Sequence, residues 1–69
     1  MPPMKVRDMI AILESKGWRL ARTRGSHRQY HNAGRPGTVT IAGKPSRDLS
    51  QDMINSILKQ AGLTKTDLP

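Results

Sequence analysis

One short stretch of the chain, TRGSHRQYHN at residues 23–32, combines side chains that are suited to phosphate chemistry. His27 directly follows a Gly-Ser pair and lies between Arg24 and Arg28. An imidazole with the ordinary histidine pKa of about 6.5 can accept or donate a proton near neutral pH. Arginine guanidinium groups can hold phosphate oxygens in a bidentate fork. The stretch therefore predicts a site at which a phosphate is bound and a proton is transferred.

The charge around this stretch favours a polyanionic partner. The net charge is +7, and the segment from Ser15 to Arg47 contains eight basic residues and no acidic one. A polyanion is the expected partner, because each neutralised phosphate releases counterions and so strengthens binding. A positive patch that docks an acidic protein is the alternative interpretation.

RNA is a polyanion that a histidine can help to cleave without a metal ion. A base deprotonates the 2′-hydroxyl, which attacks the adjacent phosphate, while an acid protonates the leaving oxygen and cations stabilise the developing charge. From the residues alone, His27 is either a histidine that only contacts phosphate or this base or acid. The predicted RNA contacts are Arg22, Arg24, Ser26, Arg28, Gln29, Lys44 and Arg47.

The second histidine of the stretch is expected to have a different role. His31 lies four residues further along the same predicted strand, so about 13 Å separates it from His27. The two side chains can therefore neither flank one phosphorus atom nor bind one metal ion. The chain has no cysteine and no acidic residue in its centre, so we expect no metal ion, cofactor or disulfide.

Two helices are predicted from apolar residues that recur with helical spacing. Gly17 is expected to end the first helix, whose apolar stripe consists of Val6, Met9, Ile10 and Leu13. Gly62 is expected to end the second helix, whose apolar stripe consists of Met53, Ile54, Ile57, Leu58 and Ala61. Asp48 and Gln51 resemble a capping box at the start of the second helix.

Between the helices the apolar period changes to two, which predicts strands. The first strand covers residues 18–24, the second covers residues 27–32, and a short third strand is expected around residues 39–41. Residues 32–37 hold several breakers and are expected to form a loop. The order α-β-β-β-α predicts an α+β domain in which a three-stranded antiparallel sheet has both helices on one face.

Alternation along the second strand separates core residues from site residues. Tyr30 is its only large apolar residue and should face the helices, so His27, Gln29 and His31 should lie on the opposite face. Trp18 is also expected to pack in the core.

One domain is expected over residues 4–63, with flexible termini at residues 1–3 and 64–69. Met4 is an alternative start, because the residues before it add nothing to the helical pattern. No apolar run approaches the roughly 20 residues of a membrane span. The N-terminus also lacks the apolar stretch of a signal peptide, so we expect a cytoplasmic protein without membrane contact.

Over roughly residues 4–63 the chain resembles the HicA (YcfA-like) toxin family of bacterial toxin–antitoxin pairs. The resemblance is carried by the segments KVRDMIAILESKGWRLAR, RGSHRQY, GTVTIAGKPSRDL and INSILKQAGL. It implies a fold like that of the double-stranded RNA-binding domain and an mRNA interferase activity that a HicB-type antitoxin restrains. It also implies that the catalytic histidine is His27.

One departure from the family pattern concerns the segment after the third strand. Many members have a His-Pro pair there, whereas this chain has Gly43-Lys44-Pro45, so any role of that histidine is absent or belongs to another group. We predict a metal-independent endoribonuclease toxin that cleaves mRNA. The alternatives are a non-catalytic RNA-binding module of the same fold and an adaptor that docks an acidic protein.

Overall fold

A helix, three strands and a second helix follow one another along residues 4–68, the part of the chain that this computed structural model describes. The elements are α1 (Val6–Ser15), β1 (Trp18–Arg24), β2 (His27–Asn32), β3 (Arg35–Ala42) and α2 (Gln51–Ala61). The predicted α-β-β-β-α order is confirmed. The termini predicted to be flexible at residues 1–3 and at residue 69 lie outside the described residues.

The strands form one antiparallel sheet in the order β1-β2-β3. Two-residue turns, Gly25-Ser26 and Ala33-Gly34, connect them, so each strand pairs with its neighbour in the chain. Helix α1 packs on β1 and α2 packs on β3. Both helices lie on one face of the sheet, as predicted, and we call the other face the open face.

The core lies between the helices and the sheet. Trp18 is 1% exposed and Tyr30 is 2% exposed, so both aromatic side chains pack beneath the helices as predicted. Burying one large apolar side chain contributes about 1.5–3 kcal/mol. The remaining core residues are Val6, Met9, Leu13, Val39, Ile41, Leu49, Ile54, Ile57, Leu58 and Ala61.

The start of α2 differs from the prediction, whereas its end agrees. Ser50 is the N-cap residue, and its Oγ accepts a hydrogen bond from the Met53 N–H at 3.2 Å. The predicted capping box is therefore wrong, because Asp48 instead forms an ion pair with Lys5, whose Nζ lies 2.8 Å from the carboxylate. Gly62 ends the helix in the left-handed conformation, with φ +69°.

Strand β3 begins earlier than predicted. The loop expected at residues 32–37 is only a tight turn, since Asn32 already pairs with Arg35 and its Oδ1 accepts the Gly34 N–H at 2.8 Å. Pro36 and Gly37 lie within the strand, where the register of β2 and β3 shifts. Such breakers are tolerated because β3 is an edge strand, which can leave one side unpaired.

The chain continues beyond α2 into one 3-10 turn (Lys65–Asp67) within the segment predicted to be flexible. The Thr64 N–H donates a hydrogen bond to Asp67 at 2.8 Å, and the Lys16 Nζ lies 3.3 Å from the same carboxylate. These two contacts, the hydrogen bond above all, lower the pKa of Asp67 below its ordinary value. The turn is thereby attached to the end of α1.

Candidate nucleic-acid interface

A β-bulge at Ala21 decides which face the arginines of β1 occupy. The strand pairs around it are Leu20 with Tyr30, Arg22 with Gln29 and Arg24 with His27. Strict alternation would place Arg22 and Arg24 on the face of Leu20, towards the helices. The extra residue moves every following side chain to the other face. Arg22 and Arg24 therefore share the open face with His27.

Three cross-strand rows of side chains make up this open face. The proximal row consists of Arg24, His27 and Ala42, the middle row of Arg22, Gln29 and Thr40, and the distal row of Arg19 and His31. Consecutive rows are two residues apart along β2, which corresponds to about 7 Å. The face thus carries three arginines and two histidines, and no carboxylate occurs among these pairs.

His27 and Arg24 of the proximal row are exposed. Within residues 4–68, neither side chain takes part in a hydrogen bond or an ion pair. Both imidazole nitrogens and the guanidinium N–H groups are consequently available to an external phosphate. The imidazole lies outside the core, as the alternation along β2 predicts.

Gly43 links the turn before β2 to the loop after β3. Its N–H donates a hydrogen bond to the carbonyl oxygen of Ser26 at 3.0 Å. Its own carbonyl oxygen accepts a hydrogen bond from the Arg28 guanidinium at 2.6 Å. The residue after it, Lys44, is exposed and follows directly on Ala42, the strand partner of His27. The linkage therefore fixes the backbone position of Lys44 next to the proximal row.

Only glycine fits at this position. Its φ of +107° is strained for any other residue, and a methyl group there would lie 2.6 Å from the Cδ of Arg47. The aliphatic part of the Arg47 side chain covers Gly43. The backbone carbonyl groups of the same loop accept hydrogen bonds from the N–H groups of the first turn of α1. The Val6 N–H donates to the Arg47 carbonyl oxygen at 2.9 Å, and the Arg7 N–H donates to that of Pro45 at 3.0 Å.

Arg28 is separated from the other predicted RNA contacts. It pairs with Thr23 and Ile41 on the side of the sheet that the helices cover, and it is half-buried. Its guanidinium donates a hydrogen bond to the Gly43 carbonyl oxygen, 15 residues away in the chain. The structure therefore brings Arg22, Arg24, Gln29 and His27 together on the open face, with Ser26 and Lys44 at its edge, and excludes Arg28 from this group.

The distal row is connected to α1. The Nη1 of Arg19 donates hydrogen bonds to the carbonyl oxygens of Glu14, at 2.8 Å, and Trp18, at 2.9 Å. Asn32 donates one to the carbonyl oxygen of Lys16 at 3.0 Å. The last carbonyl groups of a helix lack partners within the helix, so these side chains satisfy them. His31 is exposed on the same face.

Neither aromatic side chain of the protein lies on the open face. Trp18 and Tyr30 are the only aromatic residues of the sequence, and both are buried in the core. Burial raises the pKa of the Tyr30 hydroxyl, and the positive charge of Arg28 opposes this shift only in part. The only rings on the open face are therefore the imidazoles of His27 and His31, and most of its affinity for a nucleic acid has to come from polar groups.

A cluster that could hold a metal ion is absent from residues 4–68, where no three histidine or carboxylate side chains come together. The same residues contain no helix that is long and apolar enough to cross a membrane. The donors that the open face offers are guanidinium, imidazole, amide and hydroxyl groups. This set is suited to an anion with hydrogen-bonding substituents.

Sequence reasoning missed two features of the site, although each left a signal. The first feature is the bulge at Ala21. Arg22 and Arg24 follow the core residue Trp18 at even spacing, so strict alternation would place both arginines on the core face. This conflict indicates a bulge. The second feature is the role of Gly43. Its position at the end of a strand, directly before Lys44-Pro45, is typical of a glycine required by backbone conformation.

Fold and site together define a small α+β domain that presents two exposed histidines among cations on an uncovered sheet. Residues 6–63 match the model of the family described as the HicA toxin of bacterial toxin-antitoxin. The chain belongs to the HicA toxin family, as the resemblance of its sequence motifs implies. None of the curated proteins matches the chain significantly.

Proposed function

We propose that this protein is a metal-independent endoribonuclease toxin that cleaves mRNA, with His27 as the general base or acid. One observation carries the proposal: the exposed imidazole of His27 lies in the same cross-strand row as the unpaired guanidinium of Arg24. Membership of a toxin–antitoxin family supports it. A phosphate that is bound by Arg24 would lie within reach of His27.

The chemistry requires two proton transfers and a means of stabilising negative charge. The 2′-oxygen loses its proton and forms a bond to phosphorus, and the bond from phosphorus to the 5′-oxygen breaks as that oxygen gains a proton. The products are a 2′,3′-cyclic phosphate and a 5′-hydroxyl. His27 performs one of these transfers, because histidine exchanges protons efficiently near neutral pH.

The cations around His27 stabilise the charge that develops on the phosphate oxygens. Arg24 acts in the proximal row, Arg22 binds the neighbouring phosphate, and Lys44 approaches from the loop after β3. Ser26 and Arg47 remain proposed contacts at the edge of the site. Arg28 acts indirectly, as a positioning residue, because its hydrogen bond to Gly43 holds the loop of Lys44 in place.

The partner that restrains this activity is proposed to be a HicB-type antitoxin that covers the open face. The family implies an antitoxin. The open face offers a cationic surface without carboxylates, so acidic side chains on the antitoxin would accelerate association by electrostatic steering. Such a partner would block His27 and compete directly with RNA.

One observation favours a second candidate function, a non-catalytic RNA-binding module. On the proximal row, within residues 4–68, His27 is the only imidazole or carboxylate, so no paired acid and base face each other there. A module of this kind would bind RNA through the same arginines and leave it intact.

The decisive experiment compares two histidine variants in a cleavage assay. Purified wild-type protein, His27→Ala and the matched control His31→Ala are incubated with a labelled mRNA in EDTA. We expect wild type and His31→Ala to cleave at similar rates and His27→Ala to be slower by at least about 100-fold. Circular dichroism checks that all three proteins are folded.

Cleavage by His27→Ala at the wild-type rate would overturn the proposal. If none of the three proteins cleaves but all bind RNA equally, the RNA-binding module is the correct reading. Cleavage that EDTA abolishes would contradict the metal-independent mechanism.

A further inference from the structure

Gln29 occupies the centre of the open face and has no function in the fold. It lies on β2, the middle strand, between Arg22 of β1 and Thr40 of β3. The residue is half-buried, so its neighbours restrict the side chain while its amide stays accessible. Within residues 4–68, its amide donates and accepts no hydrogen bond, and no buried side-chain atom lacks a partner.

The other two glutamines of the chain behave differently. The amide of Gln51 donates a hydrogen bond to Asn55 at 3.0 Å. Gln60 donates one to Ser56 at 3.2 Å and accepts one from the Thr40 N–H at 3.1 Å, which covers the outer edge of β3. Both thus serve the fold. Of the three, only Gln29 has an amide that takes part in no hydrogen bond within residues 4–68.

The arginines of the proximal and middle rows set the path of a bound strand. Arg24 and Arg22 belong to consecutive rows that are about 7 Å apart. This distance is close to the separation of successive phosphates in an extended single strand. Two phosphates on these arginines place the intervening nucleotide beside Gln29, one row from His27.

We propose that Gln29 reads the base next to the scissile phosphate of an extended single RNA strand, whose phosphates are held by Arg24 and Arg22. The proposal deepens the proposed function and rests on it for the position of the scissile phosphate. A side-chain amide can accept from and donate to one base simultaneously. Adenine, through its N6 amino group and N7, is the base with which glutamine forms its established two-bond pairing, so adenine is the expected preference among the four bases.

A single strand fits this face better than a duplex. In A-form RNA the major-groove edges of the bases lie in a deep and narrow groove that side chains do not reach. A flat sheet face carries no element that could enter that groove. Trp18 and Tyr30 are buried, so the only rings on the open face are imidazoles, and stacking on a ring distinguishes bases weakly. Base preference then depends on hydrogen bonds, and Gln29 supplies them.

The test measures binding separately from cleavage. The His27→Ala variant, which leaves RNA intact, is titrated with four fluorescent oligouridines that carry A, C, G or U at the central position. We expect the A-containing oligonucleotide to bind about tenfold more tightly than the others. Gln29→Met in the same background keeps the size of the side chain but removes the amide, and should abolish this preference. The matched control Gln51→Met should retain it.

Each outcome decides one proposal. Base reading by Gln29 is overturned if Gln29→Met and its parent variant show the same preference for adenine. It is also overturned if the same sequence binds more tightly as a duplex. Loss of the preference in Gln29→Met alone supports it. If wild type fails to cleave RNA while this binding pattern holds, the nuclease proposal fails and the base-reading site stands.

Discussion

The two ends of the open face contain the same pair of residue types and yet differ in what those residues do. Each histidine of β2 has an arginine opposite it on β1: Arg24 faces His27, and Arg19 faces His31. Arg19 donates its hydrogen bonds to carbonyl groups at the end of α1 and the start of β1. Arg24 makes no such bond within the described residues, so its guanidinium is available to a ligand.

The position of α1 explains this difference. Its C-terminal end meets β1 beside the distal row, and the carbonyl groups at that end accept hydrogen bonds from nearby side-chain donors. The proximal row lies at the other end of β1, beyond the bulge and near the start of α1, where a helix presents N–H donors, which a guanidinium cannot bond. The same residue types therefore stabilise the fold at the distal end and form a candidate binding site at the proximal end.

The largest expected effect is on stability, and it comes from alanine substitutions at two glycines that both have a positive φ. Gly43, near the proximal row, has φ +107° and contacts Arg47, whereas Gly37 has φ +90° and open space around it. Gly37→Ala should lose about 1 kcal/mol of unfolding free energy, because only backbone strain opposes the methyl group. Gly43→Ala should lose about 2 kcal/mol, because the exposed and flexible side chain of Arg47 must also shift.

Urea unfolding followed by the fluorescence of Trp18, the only tryptophan of the sequence, measures both values. We also expect Gly43→Ala, compared at equal folded fraction, to cleave RNA about tenfold more slowly, since it displaces the loop of Lys44. Equal losses of stability in the two variants would show that the contact with Arg47 has no energetic role.

The second comparison replaces the arginine of each end by alanine. Arg24→Ala should weaken RNA binding about tenfold and reduce the slope of log affinity against log salt by about one, because one phosphate contact is lost. Its stability should not change. Arg19→Ala should keep the RNA affinity and lose about 1 kcal/mol of unfolding free energy with its hydrogen bonds. Salt titrations and urea unfolding separate the two effects, and a loss of RNA affinity in Arg19→Ala would contradict the assignment of the distal row.

The smallest expected effect concerns the ion pair of Asp67 with Lys16, close to the distal end. The pKa of Asp67 is lowered in the folded protein, mainly by the hydrogen bond from Thr64. The carboxylate therefore adds stability above its unfolded pKa, and this contribution disappears as the pH falls through the lower, folded value. Asp67→Asn should melt at a slightly lower temperature than wild type near pH 6 and at the same temperature near pH 2. A difference that persists in acid would have to arise from something other than this charge.

Much of the fold follows from patterns that are local in the chain. Apolar residues at helical spacing and the change to a period of two predict the order of the elements, and β2 covers the predicted residues 27–32. The start of β3 was not predictable in this way. Pro36 and Gly37 are breakers in isolation, and only the unpaired outer side of an edge strand tolerates them.

The candidate site was predictable in part. His27, Gln29 and Tyr30 lie on the faces that alternation along β2 predicts, because side chains of a regular strand alternate whatever surrounds it. Arg28 was predicted as an RNA contact, although the same alternation places it with Tyr30 on the helix face, and its guanidinium bonds to the Gly43 carbonyl oxygen. Its face was therefore predictable from the sequence. Its partner was not, because that carbonyl group comes close only after folding.

The sequence by itself determined the composition and order of this protein: a cationic centre without acids, two amphipathic helices, three strands, and an imidazole on the uncovered side of the middle strand. These properties depend on residue type and on short-range periodicity. The tertiary structure decided which cations accompany that imidazole. The bulge at Ala21 turns Arg22 and Arg24 towards it, and hydrogen bonds to carbonyl groups occupy Arg19 and Arg28, the latter with a partner 15 residues away. Strand register and long-range hydrogen bonds exist only in the folded chain, which is why sequence periodicity does not reveal them.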